Sequence, residues 1–159
     1  MPKWGYSFIE QKYDAERIAK ASGRDLRIKP KHAREICSTI KGMKVDQAKS
    51  FLEKVIRLEQ SVPFRRHKKK QAHRHDLKEF KWYAGRYPRK AAARIYEILS
   101  AVESNGEFKG LDVDLCRIIH AATQPGRIIK RYIQRAHGRS SAKFKHLSHV
   151  EIVIYEMPS

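Results

Sequence analysis

Apolar residues fall on every second position in some stretches and on every third or fourth in others, and these two periods sort the chain into strands and helices. Leu26 and Ile28 alternate with Arg27 and Lys29, predicting a short strand over 24–29. Leu111, Val113 and Leu115 alternate with Asp112 and Asp114, and Val150, Ile152 and Ile154 alternate with Glu151, Val153 and Tyr155. Both patterns mark half-buried strands. Behind Pro30, which suits a first helical turn because its missing N–H costs nothing there, Ala33, Ile36, Cys37, Ile40 and Met43 follow helical spacing up to a stop at Gly42. Val45, Ala48, Phe51, Leu52, Val55 and Ile56 predict a second helix over 45–58, with Asp46 favouring its N-terminus through the helix dipole. A third, over 89–104, opens after Pro88, carries Ala92, Ile95, Leu99 and Val102, and ends at Asn105-Gly106. Trp4, Tyr6 and Phe8 alternate as well, as a short strand or as an aromatic anchor docked on this protein or on a partner, until Ser22-Gly23 breaks the pattern. Helices and strands are segregated along the chain, so the fold class is α+β.

Two stretches lie between these elements and carry a different composition. From Leu115 to Val150 there is no acidic residue, while Arg117, Arg127, Lys130, Arg131, Arg135, Arg139, Lys143 and Lys145 are all cationic. Strands flank this segment, which predicts a hairpin with its base in the domain and its arms projecting. At about 15 residues per arm and roughly 3.3 Å each, the arms reach on the order of 50 Å. Ile128, Ile129, Tyr132, Ile133 and Phe144 are exposed on such a hairpin unless it lies against a partner. The second stretch, 63–87, is long for a connection in one domain. It carries Arg65, Arg66, His67, Lys68, Lys69, Lys70, His73, Arg74 and His75, a run that cannot hold a core. Trp82, Tyr83 and Tyr87 sit among Lys81, Arg86 and Arg89, as residues that stack on exposed bases do. The alternatives are a solvated loop, an import signal, or aromatics that pack the loop back onto the domain.

Charge then sets the class of partner. Lys and Arg number 35 against 17 acids in 159 residues, a formal net charge of +18, which repels itself and favours a polyanion. No run approaches the ~20 apolar residues of a membrane span, and the opening Met-Pro-Lys-Trp-Gly-Tyr does not read as a signal peptide. Cys37 and Cys116 are too few and too far apart for a disulfide framework or a zinc motif, and read as core residues in a reducing cytoplasm. Catalysis finds little support. Asp112 and Asp114 share one face of the predicted strand, as a metal-dependent nuclease would arrange them, yet no third acidic ligand follows from spacing. His67, His73 and His75 match no zinc spacing, and the cations around them oppose a divalent metal. Ser140-Ser141 has no paired acid, and no Gly-rich phosphate loop is present. Neither a cofactor nor a metal is expected. No recognition helix for duplex DNA stands out, and an irregular basic hairpin suits folded RNA better.

Residues 135–142, Arg-Ala-His-Gly-Arg-Ser-Ser-Ala, followed by Lys145-His146-Leu147-Ser148-His149-Val150-Glu151-Ile152-Val153, resemble the C-terminal signature of the family of large-ribosomal-subunit protein 22. Leu26-Arg27-Ile28-Lys29-Pro30-Lys31-His32-Ala33-Arg34 is similar to that family's opening strand, proline and first helix. The likeness covers roughly 24–62 and 88–156, and the N-terminal extension 1–23 and basic insertion 63–87 resemble its archaeal and eukaryotic branch. It implies one ribosomal-protein domain over 24–159. In that domain three helices pack on a small antiparallel three-stranded sheet, and a long hairpin (111–156, arm 117–146) protrudes. It also implies a cytoplasmic, non-enzymatic constituent of the large subunit whose hairpin runs through ribosomal RNA to the nascent-peptide exit tunnel and which aids early assembly. The partners implied are large-subunit RNA, neighbouring ribosomal proteins and the nascent peptide, with neither membrane nor DNA. The RNA-binding residues expected are Lys31 and Arg34 on the first helix, Arg65, Arg66, Lys68, Lys69, Lys70, Arg74 and Arg86 in the insertion, and the eight hairpin cations named above. Lys130, Arg131, Arg135, His137, Gly138 and Arg139 form the tunnel-side end, its tip near His137–Gly138, and Pro125-Gly126 becomes a bend partway along the first arm. A metal-dependent nuclease and a free-standing RNA chaperone are the alternatives.

Overall fold

A computed structural model describes residues 5–9 and 13–157. Trp4 lies outside them. Three antiparallel strands form the main sheet in the order β1 (Ile18–Leu26), β7 (Lys145–Glu156), β4 (Cys116–Ile129). Helices α1 (Pro30–Ile40), α2 (Val45–Ile56) and α3 (Arg89–Phe108) share one buried core with one face of that sheet. Val150, Ile152 and Ile154 of β7 meet Ile36, Ile40, Leu52, Ile95 and Leu99 there, all essentially inaccessible to water. Removing so many branched apolar side chains from water is the main favourable contribution to folding. Cys37 and Cys116 are buried free thiols, and burial pushes both up to about 11, so they act as core residues.

The other face of β7 is covered by the start of the chain. The Phe8 ring lies 5.6 Å from His120 and 5.4 Å from Tyr13, and Tyr13 meets Tyr155 edge-on at 5.2 Å. Ser7 donates its backbone N–H and its hydroxyl to the buried Glu151 carboxylate, which also bonds His120 Nε2 at 2.9 Å. Residues 5–9 are thus an aromatic anchor on the protein's own sheet and form no strand.

Three boundaries differ from the sequence expectations. The edge strand runs Ile18–Leu26, not 24–29, so it is built partly from residues assigned to the extension; pairing with β7 from Ile18↔Tyr155 onward decides its position. Helix α3 passes through Asn105-Gly106 and ends at Phe108, closed off by Gly110 (φ +76°) just beyond it, where the Leu111 N–H reaches Gly106 O at 3.1 Å. Tertiary contacts carry the helix past the expected stop. Gly106 is buried against Ile154 and Ala19 of the sheet, and Asn105 Nδ2 donates to Lys20 O of the edge strand at 3.0 Å. Residues 111–115 are not a strand either: Val113–Leu115 is a turn of 3₁₀ helix, and β4 starts at Cys116.

The 63–87 segment also departs from expectation, because it contributes to the core. Short strands β2 (Val62–Pro63) and β3 (Gly85–Arg86) pair at its ends, and Phe64, Leu77 and Ala84 are buried. Buried Glu35 on α1 accepts the backbone N–H groups of Arg65, Arg66 and His67 at 3.0, 3.2 and 2.8 Å. Asp76 likewise accepts the N–H and hydroxyl of Ser61. One carboxylate therefore holds the cationic loop by its backbone, and a second, from within the loop, ties it to Ser61. Glu35→Ala is expected to cost about 2 kcal/mol, since orphaned buried donors cost ~1–3 kcal/mol. Amide exchange at Arg65, Arg66 and His67 should accelerate while the β7 amides stay protected, and unchanged exchange at these three positions would rule out the anchoring role.

Candidate nucleic-acid interface

The long hairpin is formed by β4 and β7 and continues outward as β5 (Tyr132–Gln134) and β6 (Ser140–Ala142). Pairing runs from Cys116↔Glu156 to Ile129↔Lys145 and resumes from Tyr132↔Ala142 to Gln134↔Ser140. The gap between them is bridged by Lys143 N–H donating to Arg131 O at 2.7 Å. Register shifts between Pro125 and Ile128, which is the bend expected at Pro125-Gly126. A Cβ on Gly126 would sit 3.2 Å from the Leu147 carbonyl, so the close approach of the arms favours glycine there. The turn closes at His137 (φ 56°) and Gly138 (φ 67°), with Arg135 N–H donating to Arg139 O at 2.8 Å. Because β1 pairs only as far as Ser148, which lies opposite Pro125, the ribbon has two strands from Gly126 to His137. At roughly 3.3 Å per residue that projects on the order of 35 Å. Every residue from 131 to 140 is exposed.

At the root of this arm lies a groove of about 760 Å³. One wall comes from the β1–α1 connection and the first turn of α1, with Arg27, Ile28, Lys29, Pro30, Lys31 and His32. The insertion and the start of α3 add Phe64, His67, Gln71, Arg86 and Lys90. The hairpin supplies Ile129, Arg131, Phe144, Lys145, His146 and Leu147. Seven of these side chains are Lys or Arg and none is acidic. Ser148 holds two walls together, its buried hydroxyl donating to Ile28 O at 3.0 Å. His32 packs edge-on against Phe64 at 5.6 Å. Burial first, then the positive charges of Lys29 and Arg86, hold its imidazole below the usual histidine value.

The expected RNA-binding cations fall into separate places. Lys31, Arg86, Arg131 and Lys145 meet in the groove. Arg65, Arg66, Lys68, Lys69, Lys70 and Arg74 are exposed on the insertion, while Lys130, Arg135, Arg139 and Lys143 are exposed along the outer ribbon. Arg34 is exposed on α1 without lining the groove, and Arg117 lies at the far end of β4, near Gly42 O at 3.4 Å. Arg127 is held by Asp25 through bonds of 3.1 and 2.6 Å, and that guanidinium holds the Asp25 carboxyl below the usual range. Arg27, Lys29, Lys90, His67 and His146 line the groove without having been anticipated; the run Arg27-Ile28-Lys29-Pro30-Lys31-His32 was a linear signal for the first two, while the other three join them only through the fold. The packing reading holds for two of the loop aromatics. Trp82 Nε1 donates to Phe64 O at 3.0 Å under Arg65 and Lys68, and Arg74 lies 5.0 Å from the Tyr87 ring. Tyr83 stacks on Trp82 and is 45% exposed.

The nuclease arrangement is not formed. Asp112 Oδ1 accepts the Asp114 N–H at 3.0 Å as the cap of a 3₁₀ turn, so the pair does not share a strand face. Among the described residues no group of three or more His, Cys, Asp or Glu is placed to hold a metal, and no helix is long and apolar enough to cross a membrane.

Fold and groove together define a class: a small α+β protein with a cationic groove from which a cationic two-stranded arm projects. The family described as Ribosomal protein L22p/L17e matches residues 21–155, and the chain belongs to that family. It is 49% identical over 159 residues to "Large ribosomal subunit protein uL22" of Methanopyrus kandleri, covering 98% of this chain and 99% of that one. It is 46% identical to the protein of that name from Archaeoglobus fulgidus, over 96% and 97% of the two chains. For the Methanocaldococcus jannaschii protein the identity is 48% over 89% of each chain.

The His32 environment has a measurable consequence. On unfolding, the imidazole returns to its usual value near 6.5. The stability it contributes is complete above that value and is lost as pH falls through the lowered one. NMR titration should place His32 below 6.5, and replacing Lys29 and Arg86 together by Gln should raise its midpoint. A midpoint that stays put or drops contradicts the assigned causes.

Proposed function

We propose that this chain is a structural constituent of the large ribosomal subunit that binds ribosomal RNA through its groove, insertion and hairpin, with the hairpin reaching the nascent-peptide exit tunnel. The observation that carries this reading is the series of cations, with no acidic residue among them, that lines the groove and recurs along the ribbon from Lys130 to Lys145. Such a surface repels itself in the free protein and is neutralised by phosphates, with release of condensed counterions. Its relatives' names, large ribosomal subunit proteins, supply the particular RNA. The groove and the insertion lie on the packed part of the fold and act as a preformed seat. The outer ribbon has no core of its own and orders against its partner. A domain that docks early and an arm that orders later suit a part in subunit assembly. The exposed tip, with Arg135, His137 and Arg139 around a tight turn, has the slender shape that a narrow passage admits.

The arm and the seat are separable. Because Lys143 already bonds Arg131, replacing Tyr132–Ala142 by Asn-Gly should close the ribbon at that point with a two-residue turn. The shortened protein is expected to keep its melting temperature within about 2 °C, as removing exposed residues costs little, and to sediment with large subunits in high salt. A photo-crosslinker at position 137 of the full chain should capture nascent peptide in translating ribosomes. Unfolding of the shortened chain would refute the division of labour, and a crosslinker that reaches only RNA would refute the tunnel assignment.

A further inference from the structure

We propose that the groove at the root of the hairpin is a receptor for one unstacked nucleotide of the bound RNA, its base inserted between Phe144 and the Ile28–Phe64 floor. This deepens the RNA-binding reading above and rests on it. A concave site of about 760 Å³ falls within the ~300–1,000 Å³ typical of sites for small molecules. The convex backbone of a regular duplex can lie across its mouth without filling it.

The interior is unlike an ordinary phosphate-binding surface. Ile28, Phe64 and Leu147 are buried at its floor, while Ile129 and the Phe144 ring, 39% exposed, form the hairpin wall. Tyr132 meets Phe144 perpendicularly at 5.7 Å and limits its swing. Around this apolar interior stand Lys29, Lys31, Arg86 and Arg131. A nucleotide matches both parts, since its base offers a flat apolar face and its phosphate sits a few ångströms away. A purely acidic peptide matches only the cations.

Two polar groups have bonds to offer a base edge. A neutral His32 has one donor and one acceptor nitrogen. Gln71 donates Nε2 to Lys69 O at 3.2 Å and its buried Oε1 has no partner, so a rotation of the amide toward the groove would offer an acceptor to an entering amino group. Recognition of single unpaired bases by stacking with a few edge contacts is the usual route to specificity for folded RNA.

The test uses the full chain and two RNA hairpins of equal length, one with a single bulged pyrrolocytosine and one with that base paired. The bulged RNA is expected to bind about tenfold more tightly, as one stacked base supplies, and the fluorescence of the analogue should fall on binding. Phe144→Ala should abolish both the preference for the bulged over the paired hairpin and the quenching; Phe144→Tyr should restore both. Ile129→Ser, on the same wall, should act like Phe144→Ala. Equal affinity for the two RNAs without quenching overturns the nucleotide site and leaves the RNA-binding reading standing. Failure to bind either RNA at low salt overturns that reading as well. A polyglutamate peptide that erases the bulge preference as effectively as unlabelled bulged RNA would assign the groove to an acidic protein segment and overturn the proposal.

Discussion

β7 is hydrogen-bonded along both edges, to β1 on one side and β4 on the other, and is buried on both faces between the helices and the N-terminal aromatic anchor. Few strands in so small a protein are enclosed on four sides, and the consequences run through the whole molecule. Enclosure fixes register, since a slip of one residue would drive Glu151 into the helix-facing core and expel Val150 and Ile152. A fixed register in turn aims the hairpin. The same two strands that are locked in the sheet at Val150↔Thr123 continue as a ribbon beyond Leu147, so the direction of the arm is inherited from the core.

Electrostatics explains what surrounds the arm. A chain with twice as many cations as acids could distribute its carboxylates as surface partners, and this one withdraws several of them from that role. Glu35 is spent on backbone donors of the insertion, Asp76 on Ser61 ahead of it, Glu151 on Ser7 and His120, and Asp25 on Arg127 at the base of the hairpin. Each bond stiffens the scaffold beneath a basic segment and removes a negative charge from its surface. No carboxylate lines the groove, and its cations are left uncompensated.

The helices were legible because their apolar stripes are long and start at proline or a favourable acid; α1 and α2 begin where spacing places them, and only the C-terminal end of α3 was misjudged. Gly106 illustrates the difficulty. Glycine is a stop signal when solvent surrounds it and a contact residue when a sheet lies against it, and local sequence does not distinguish the two. The insertion failed for a related reason: its basic composition concealed Phe64, Leu77 and Ala84, single apolar residues too widely spaced to form a periodic pattern. Asp112 and Asp114 alternate as a strand would, yet a side-chain cap closes them into a turn.

By itself the sequence determined the α+β class, the cationic hairpin, the thiols' place in the core, and, through the residues at 135–153, the family, whose resemblance placed the bend and the tip. These are local or compositional properties: periodicity, charge excess, turn residues and a contiguous motif. The groove was decided only by tertiary structure. Its walls come from residues 27–32, 64–90 and 129–147, and the three segments meet because Ser148 ties β7 to the β1–α1 link and Glu35 draws the insertion onto α1. A linear reading can count the cations in each segment, but which of them share a cavity depends on bonds between residues tens of positions apart.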